Sequence, residues 1–394
     1  MHDNLLIVGA GQAAAQAIQS LRQGGFAGKI ALCGDEEHLP YQRPPLSKKY
    51  LSGELSGDRL LLRPADFYDT TDVELIIGKS VEAIDVANKS VTLSGAEKRE
   101  YDKLLLTMGT SARTIPLPGH DLEGVLTLRS IGNVDRIRPH MTKGSRLVII
   151  GAGYIGLEVA AIARQLGLEV TVLEAQDRVL KRVVSPLMSS FFQDLHTQQG
   201  IDLRLSTQTA EISGQNRVEA VVLGDGTSIP CDLVLIAIGS RPNDDLAKEA
   251  GIDANDGILV DPSCETSQTD IFAAGDCTRF HSMRYGHSVR LESVQNAIDQ
   301  AKAVAQTLCG GEPHYDPIPW FWSDQYDIKL QIAGLSQNYD EALTIGDPAG
   351  NSFYVAYLMD GNLIAVDSVC HPRSHMMARR VLGQPWSEGL LPSA

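Results

Sequence analysis

Arg146-Leu-Val-Ile-Ile150 runs directly into Gly151-Ala-Gly153-Tyr154-Ile155-Gly156, and the same pattern opens the chain as Asn4-Leu-Leu-Ile-Val8 followed by Gly9-Ala-Gly11-Gln-Ala-Ala14. In each copy the apolar run reads as a buried parallel strand and the Ala-rich run after it as a helix. The first glycine permits a tight turn, the second lets backbone approach a pyrophosphate, and the third position, Ala14 or Gly156, keeps the helix close to its strand. Amides and dipole at the helix start then face phosphate. A second short strand follows each helix, Lys29-Ile-Ala-Leu-Cys33 and Glu169-Val-Thr-Val-Leu-Glu174. Two such units in one chain predict two bound dinucleotides.

The duplication extends beyond the fingerprints. Val73-Glu-Leu-Ile-Ile-Gly78 leads through alternating residues to Leu104-Leu-Leu-Thr-Met-Gly109, and Ile201-Asp-Leu-Arg-Leu leads through similar stretches to Val234-Leu-Ile-Ala-Ile-Gly239. Asp225-Gly226 marks a hairpin turn in the second copy. After Cys309-Gly-Gly-Glu-Pro313 the composition changes, with Pro317, Pro319, Trp320 and Trp322 crowded together. The expected fold is α/β, with two Rossmann-like domains and a C-terminal α+β domain. The expected boundaries are 1–108 with 240–310 for the first nucleotide domain, 109–239 for the second, and 311–394 for the third.

Composition narrows the function classes. The chain has 394 residues, 43% of them hydrophobic, and a formal net charge of −15, which argues against nucleic-acid and anionic-membrane partners. No stretch is apolar and long enough to span a bilayer, and the first strand begins too early for a signal peptide, so a cytoplasmic protein is expected. Six scattered cysteines form neither a CxxC pair nor a zinc spacing, and no metal site is expected.

Carboxylates follow both second strands. Asp35 and Glu36 can accept hydrogen bonds from ribose hydroxyls in the first unit. Glu174 favours a free 2′-hydroxyl over a 2′-phosphate in the second, which points to NAD, although Arg178 and Arg182 nearby could accommodate phosphate. A third motif, Thr269-Asp-Ile-Phe-Ala-Ala-Gly275-Asp276, places an aspartate just after a short apolar strand.

With the two fingerprints, that motif resembles the flavoprotein superfamily built from two dinucleotide-binding domains, in which this aspartate binds the FAD ribityl-phosphate region. Four segments narrow the resemblance to NADH-dependent ferredoxin reductases of oxygenase systems: Pro40-Tyr-Gln-Arg43-Pro-Pro-Leu-Ser-Lys48, Gly151 to Glu158, Arg290-Leu-Glu292-Ser-Val294-Gln-Asn296, and Pro319-Trp320-Phe-Trp322-Ser-Asp324-Gln-Tyr-Asp-Ile-Lys. The likeness spans nearly the whole chain.

Carried over residue by residue, it implies that Arg43 and Lys48 lie against the flavin, Lys48 near N5, with Glu158 opposite at the nicotinamide side. It also implies FAD contacts from Arg129, Val294 and Trp320, and NAD contacts from Tyr154, Ile155, Arg182 and Gly239. A lysine there stabilises charge that arrives with hydride, and a carboxylate beside it balances that charge. Hydride transfer is the cofactors' own reaction, and the protein supplies geometry.

Disulfide reductases of that superfamily carry a cysteine pair before a Pro-Ser-Lys-like segment. Here Arg43-Pro-Pro-Leu-Ser-Lys48 has none, so electrons are expected to pass directly to an external acceptor. The resemblance implies a [2Fe-2S] ferredoxin. Arg290, with Arg373, Arg379 and Arg380 in the His371–Arg380 run, supplies positive charge to steer such an acidic partner. Reductases of rubredoxin or of a small molecule such as a quinone or monodehydroascorbate share every cofactor motif, and an NADH-responsive flavoprotein resembling apoptosis-inducing factor shares the Lys/Glu flavin environment.

Overall fold

The computed structural model describes residues 3–393 and divides the chain into two compact units. The first comprises the chain up to Gln42, Gly57–Ser111 and Arg241–Pro319. At its centre is a five-stranded parallel sheet in the order Ile271–Ala273, Lys103–Leu106, Leu5–Val8, Ile30–Gly34, Val73–Ile77. Leu5–Val8 is buried along its whole length, as a continuous apolar run in the middle of a parallel sheet requires. The helix Gln12–Gln23 buries Ala14, Ala17, Ile18 and Leu21 at helical spacing and packs on the helix Val294–Leu308. Ala297, Ala301 and Ala305 are buried on that second helix, and small side chains let the two backbones approach. A three-stranded antiparallel sheet, Val81–Asp85, Ser90–Leu93 and Lys98–Glu100, completes the fold of the segment between the third and fourth parallel strands.

The second unit comprises Arg43–Ser56, Ala112–Ser240 and the chain from Trp320 onward. Its parallel sheet runs Asp202–Arg204, Glu169–Leu173, Arg146–Ile150, Leu233–Ile236, Val125–Thr127. The fingerprint strand is central in both sheets, and the strand after its helix lies beside it. The fifth strand breaks the repeat: Val125–Thr127 precedes its fingerprint, whereas Ile271–Ala273 follows its own by more than half the chain. Asp225-Gly226 turns the antiparallel pair Val218–Leu223 and Ser228–Pro230.

The C-terminal part is a five-stranded antiparallel sheet ordered Trp320–Gln325, Ile328–Gly334, Asn362–Val369, Ser352–Met359, Glu341–Asp347. Its register sorts residues onto two faces. Trp320, Ala333, Val366 and Ala356 form one cross-strand row, and Phe321, Ile332, Asp367 and Val355 form the next. Ala333, Val366 and Ala356 share a core with Ala378 of the helix Pro372–Val381. The opposite face meets the helix Tyr154–Gln165, where the Phe321 ring lies 4.7 Å from that of Tyr154. Among the described residues no helix is long and apolar enough to cross a membrane.

Candidate dinucleotide and redox site

In the first unit, Gly9 has φ +106°, and a Cβ there would lie 2.5 Å from the Thr107 carbonyl oxygen, so only glycine fits. Thr107 Oγ1 donates to Gly9 O at 2.7 Å, and Gly9 N donates to Cys33 O at 2.8 Å, fixing the turn. Gly11 caps the helix without a side chain, and a Cβ there would meet nothing within 4 Å. First-turn amides of a helix have no intrahelical partner, so an open, uncapped helix start is a cradle that fits a pyrophosphate. Ala14 is fully buried beneath it.

Gly275 reaches the same helix start: its Cβ position is 3.5 Å from that of Ala13, which brings Asp276 there too. Gly275 N donates to Gln300 Oε1 at 2.8 Å, tying the turn to the helix that begins at Val294. Asp35 and Glu36 follow the second strand, and Glu36 Oε2 accepts from the Tyr41 hydroxyl at 2.6 Å. Register pairs Val8 with Cys33 and Ile150 with Leu173. The counterpart of Glu174 is therefore Gly34, with Asp35 and Glu36 one and two residues beyond.

The second cradle repeats the first with tighter packing. Gly151 has φ +106°, Gly153 faces open space, and a Cβ on Gly156 would sit 2.2 Å from Gly151 O. Glu174 braces the turn, Oε2 accepting from Ala152 N and Oε1 from Gln176 N, both at 2.8 Å. Arg178 is committed to holding its loop, donating to Val184 O, Lys181 O and Ser189 Oγ. Arg182 Nη2 lies 3.2 Å from the Cβ position of Gly239, itself at φ +106°. Ile155 is exposed at the first helical turn, whereas the Tyr154 hydroxyl is buried with no hydrogen-bond partner among the described residues. Burial raises that phenol well above its usual range.

Lys48 and Glu158 meet inside the second unit. Lys48 Nζ lies 2.7 Å from Glu158 Oε2, with the two side chains 17% and 5% exposed. Pro44 and Pro45 open the short helix Pro44–Ser47, whose rigid start presents the lysine. Arg43 Nη1 donates to Arg129 O at 2.8 Å, while Arg129 N donates to Asn133 Oδ1, part of the cap on the helix Ile131–Ile137. Arg138 stacks 4.6 Å over the Tyr50 ring, and Tyr50 Oη donates to Asp135 Oδ1 at 3.3 Å. The Lys48 segment is thereby clasped from both ends.

Sequence reasoning did not find the rest of the Glu158 environment. Ser47 Oγ donates to Glu158 Oε2 at 2.5 Å, and Ser323 Oγ donates to Oε1 at 2.6 Å. The signal for Ser323 was present: Phe321, Ser323 and Gln325 alternate on one strand face, and polar residues on a core-facing stripe demand a partner.

Trp320 lies on the other sheet face, 5.8 Å from Trp322 and 5.9 Å from His375, with the Arg379 guanidinium 4.6 Å over its ring. Burial and Arg379 depress His375 to about 4. Arg373, Met376, Met377, Arg379 and Arg380 are exposed on the same helix. Arg290, in the first unit, is instead largely covered and ion-paired with Asp256 and Glu292. All six cysteines are free, and burial pushes Cys33 up to about 11 and Cys277 up to about 12, so neither is a thiolate nucleophile at neutral pH.

The chain belongs to the pyridine nucleotide-disulphide oxidoreductase family, whose profile matches residues 3–301, and the reductase C-terminal profile matches residues 320–387. It is an oxidoreductase of FAD and a nicotinamide dinucleotide. Within that family it is similar to a ferredoxin–NAD(P)(+) reductase of a Sphingomonas species, 43% identical over 97% of this chain and 93% of that one. The solved ferredoxin reductase from Rhodopseudomonas palustris is 43% identical over 96% of this chain and 93% of its own, with a TM-score of 0.93. A covalent putidaredoxin reductase–putidaredoxin complex matches at 39% identity and TM-score 0.93, covering 97% and 94%.

Proposed function

We propose that this chain is an NADH-dependent ferredoxin reductase that passes electrons through FAD to a [2Fe-2S] ferredoxin serving a cytochrome P450 or Rieske-type oxygenase. The observation that carries the reading is the pair of open glycine cradles in a chain whose six cysteines are all unpaired. When bound, the two cofactors supply hydride acceptance and its division into single electrons. The chain's own residues hold and bias them.

Gly9, Gly11, Ala14 and Asp276, with Val294, Asp35 and Glu36, hold FAD in the first unit. Gly151, Gly153 and Gly156 seat the second pyrophosphate, with Tyr154, Ile155, Arg182 and Gly239 around it. Glu174 supports NADH as donor, because its charge disfavours a 2′-phosphate and Arg178 is already committed to backbone. Lys48 presents its cation to the flavin, and Glu158 balances that charge while Arg43 and Arg129 secure the segment. Charge placed in advance costs no reorganisation as hydride arrives.

The exposed arginines Arg373, Arg379 and Arg380, interleaved with Met376 and Met377, suit an acidic, adaptable contact beside Trp320. Arg290 has its charge already shared with two carboxylates and contributes less steering. Six unpaired thiols accord with work in the cytoplasm.

Steady-state reduction by NADH of a purified [2Fe-2S] ferredoxin, a rubredoxin and a quinone tests the acceptor. The ferredoxin is expected to lead in kcat/KM by at least about tenfold, a difference of about 1.4 kcal/mol. A rubredoxin that matched or exceeded it would reassign the chain.

A further inference from the structure

Beyond Glu158 the hydrogen bonds continue in one line. Ser323 Oγ donates to Glu158 Oε1 at 2.6 Å, Gln325 Nε2 donates to Ser323 Oγ at 3.2 Å, and Gln325 Oε1 lies 2.8 Å from His196 Nε2. Glu158, Ser323, Gln325 and His196 are all buried. They belong to a helix, a strand and a second helix of the same unit.

We propose that Ser323, Gln325 and His196 form a one-way chain of donors that holds the Glu158 carboxylate in one orientation, making all three positioning residues for the Lys48–Glu158 pair. The argument starts from the carboxylate. An ionised carboxylate only accepts, so the single Ser323 hydrogen goes to it. The Ser323 oxygen must then accept, which turns the Gln325 amide nitrogen toward it and the amide oxygen toward His196. That oxygen needs a donor, so the imidazole carries its proton on Nε2. Burial depresses the basicity of His196, keeping the ring neutral, and Nδ1 is left to accept from Tyr326 Oη at 3.5 Å.

Each assignment follows from the one before, and the ionisation of Glu158 dictates a tautomer three groups away. Were Glu158 neutral and donating, every bond in the line could reverse and the imidazole proton would move to Nδ1. The line is not a proton conduit, because the Gln325 amide has no proton to release at neutral pH. It is a clamp: Ser47 and Lys48 hold Oε2 while Ser323 holds Oε1. Its effect on the flavin rests on the reading that Lys48 and Glu158 serve that cofactor.

Nitrogen-15 NMR of the labelled holoenzyme tests the clamp directly, with the His196 ring signals assigned by their loss in His196→Gln. A neutral ring protonated on Nε2 is expected, and an Nδ1-protonated ring or a cation overturns the proposal. The midpoint potential of bound FAD then tests its consequence. Ser323→Ala and Gln325→Met, which removes the amide donor at similar volume without adding charge, are expected to shift that potential in the same direction as Glu158→Gln. Ser323→Thr should restore it, and Ser323→Ala should add nothing in the Glu158→Gln background. An undiminished Ser323→Ala shift in that background overturns action through Glu158. Should Glu158→Gln itself leave the potential unmoved, the reading of the pair as flavin partners fails, while the His196 tautomer still decides the clamp.

Discussion

Lys48 and Glu158 stand 110 positions apart in sequence yet close at 2.7 Å, the lysine on a proline-started turn and the glutamate on the second turn of a fingerprint helix. Their pairing couples the segment likened to flavin-facing ones to the helix that caps the nicotinamide cradle. In the proposed reaction, a cation so placed stabilises negative charge that develops with hydride arrival.

Lys48→Met is therefore expected to slow bleaching of bound FAD by NADH by about 10- to 100-fold, or about 1.4–2.8 kcal/mol. Stopped-flow absorbance gives the rate and the NADH dissociation constant separately, and the latter should hardly change. A wild-type bleaching rate removes the lysine from this role.

Gly11→Ala and Gly9→Ala separate cofactor seating from folding. A methyl on Gly11 meets no protein atom, so thermal stability of the apoprotein should stay within about 0.5 kcal/mol of wild type, while FAD affinity falls at least about tenfold. Gly9→Ala drives Cβ into Thr107 backbone at positive φ and should cost about 1–3 kcal/mol of stability as well. Apoprotein melting and flavin retained per chain distinguish the two. Equal FAD retention in Gly11→Ala would place the pyrophosphate elsewhere.

These positions show how far the sequence could be read. Both glycine cradles were legible because the turn, the close backbone approach and the helix start are local events within a dozen residues. The Ser323–Glu158 bond spans 165 positions: the alternation along the strand marked Ser323 as a polar residue needing a partner, but which helix that strand face meets is not a local property, so the partner was hidden. The fifth parallel strand was similarly hidden: Val125–Thr127 is too short for its periodicity to distinguish it from a loop. Arg290 shows the converse, a cation singled out for its charge whose neighbours Asp256 and Glu292 absorb it.

The proposed choice of NADH as donor is tested at Glu174. Glu174→Ala removes the acceptor for Ala152 N together with the charge, so kcat/KM for NADH should drop at least about tenfold while NADPH loses less. The ratio of the two constants is the readout, and an unchanged ratio clears Glu174 of discrimination.

Reversing charge at Arg379 and Arg380 should lower kcat/KM for ferredoxin at low ionic strength by about 10-fold or more, with convergence toward wild type in high salt. Reduction of a small inorganic oxidant should be unaffected. An unaltered salt dependence would place docking on another surface.

Asp367 gives a stability test independent of the redox chemistry. It is fully buried, its Oδ2 accepts from Tyr357 Oη at 2.6 Å, and its Oδ1 has no partner among the described residues. Burial raises its pKa to about 7 from the ordinary 3.8. The folded state thus holds the proton more tightly than the unfolded one, and stability falls as pH rises from about 4 to above 7. Fully expressed, the loss is on the order of 4 kcal/mol. Asp367→Asn, which still accepts from Tyr357, should melt higher than wild type at pH ~8, with a much smaller gain at pH ~5. Equal gains at both values would contradict a buried titrating acid.

Anaerobic mixing of the purified FAD-loaded protein with NADH, followed by addition of oxidised [2Fe-2S] ferredoxin, tests the account most directly. The flavin absorbance should bleach within one turnover and return as the ferredoxin is reduced, with two ferredoxins consumed per NADH. A flavin that stays yellow under excess NADH, or one that bleaches but leaves the ferredoxin oxidised, contradicts it.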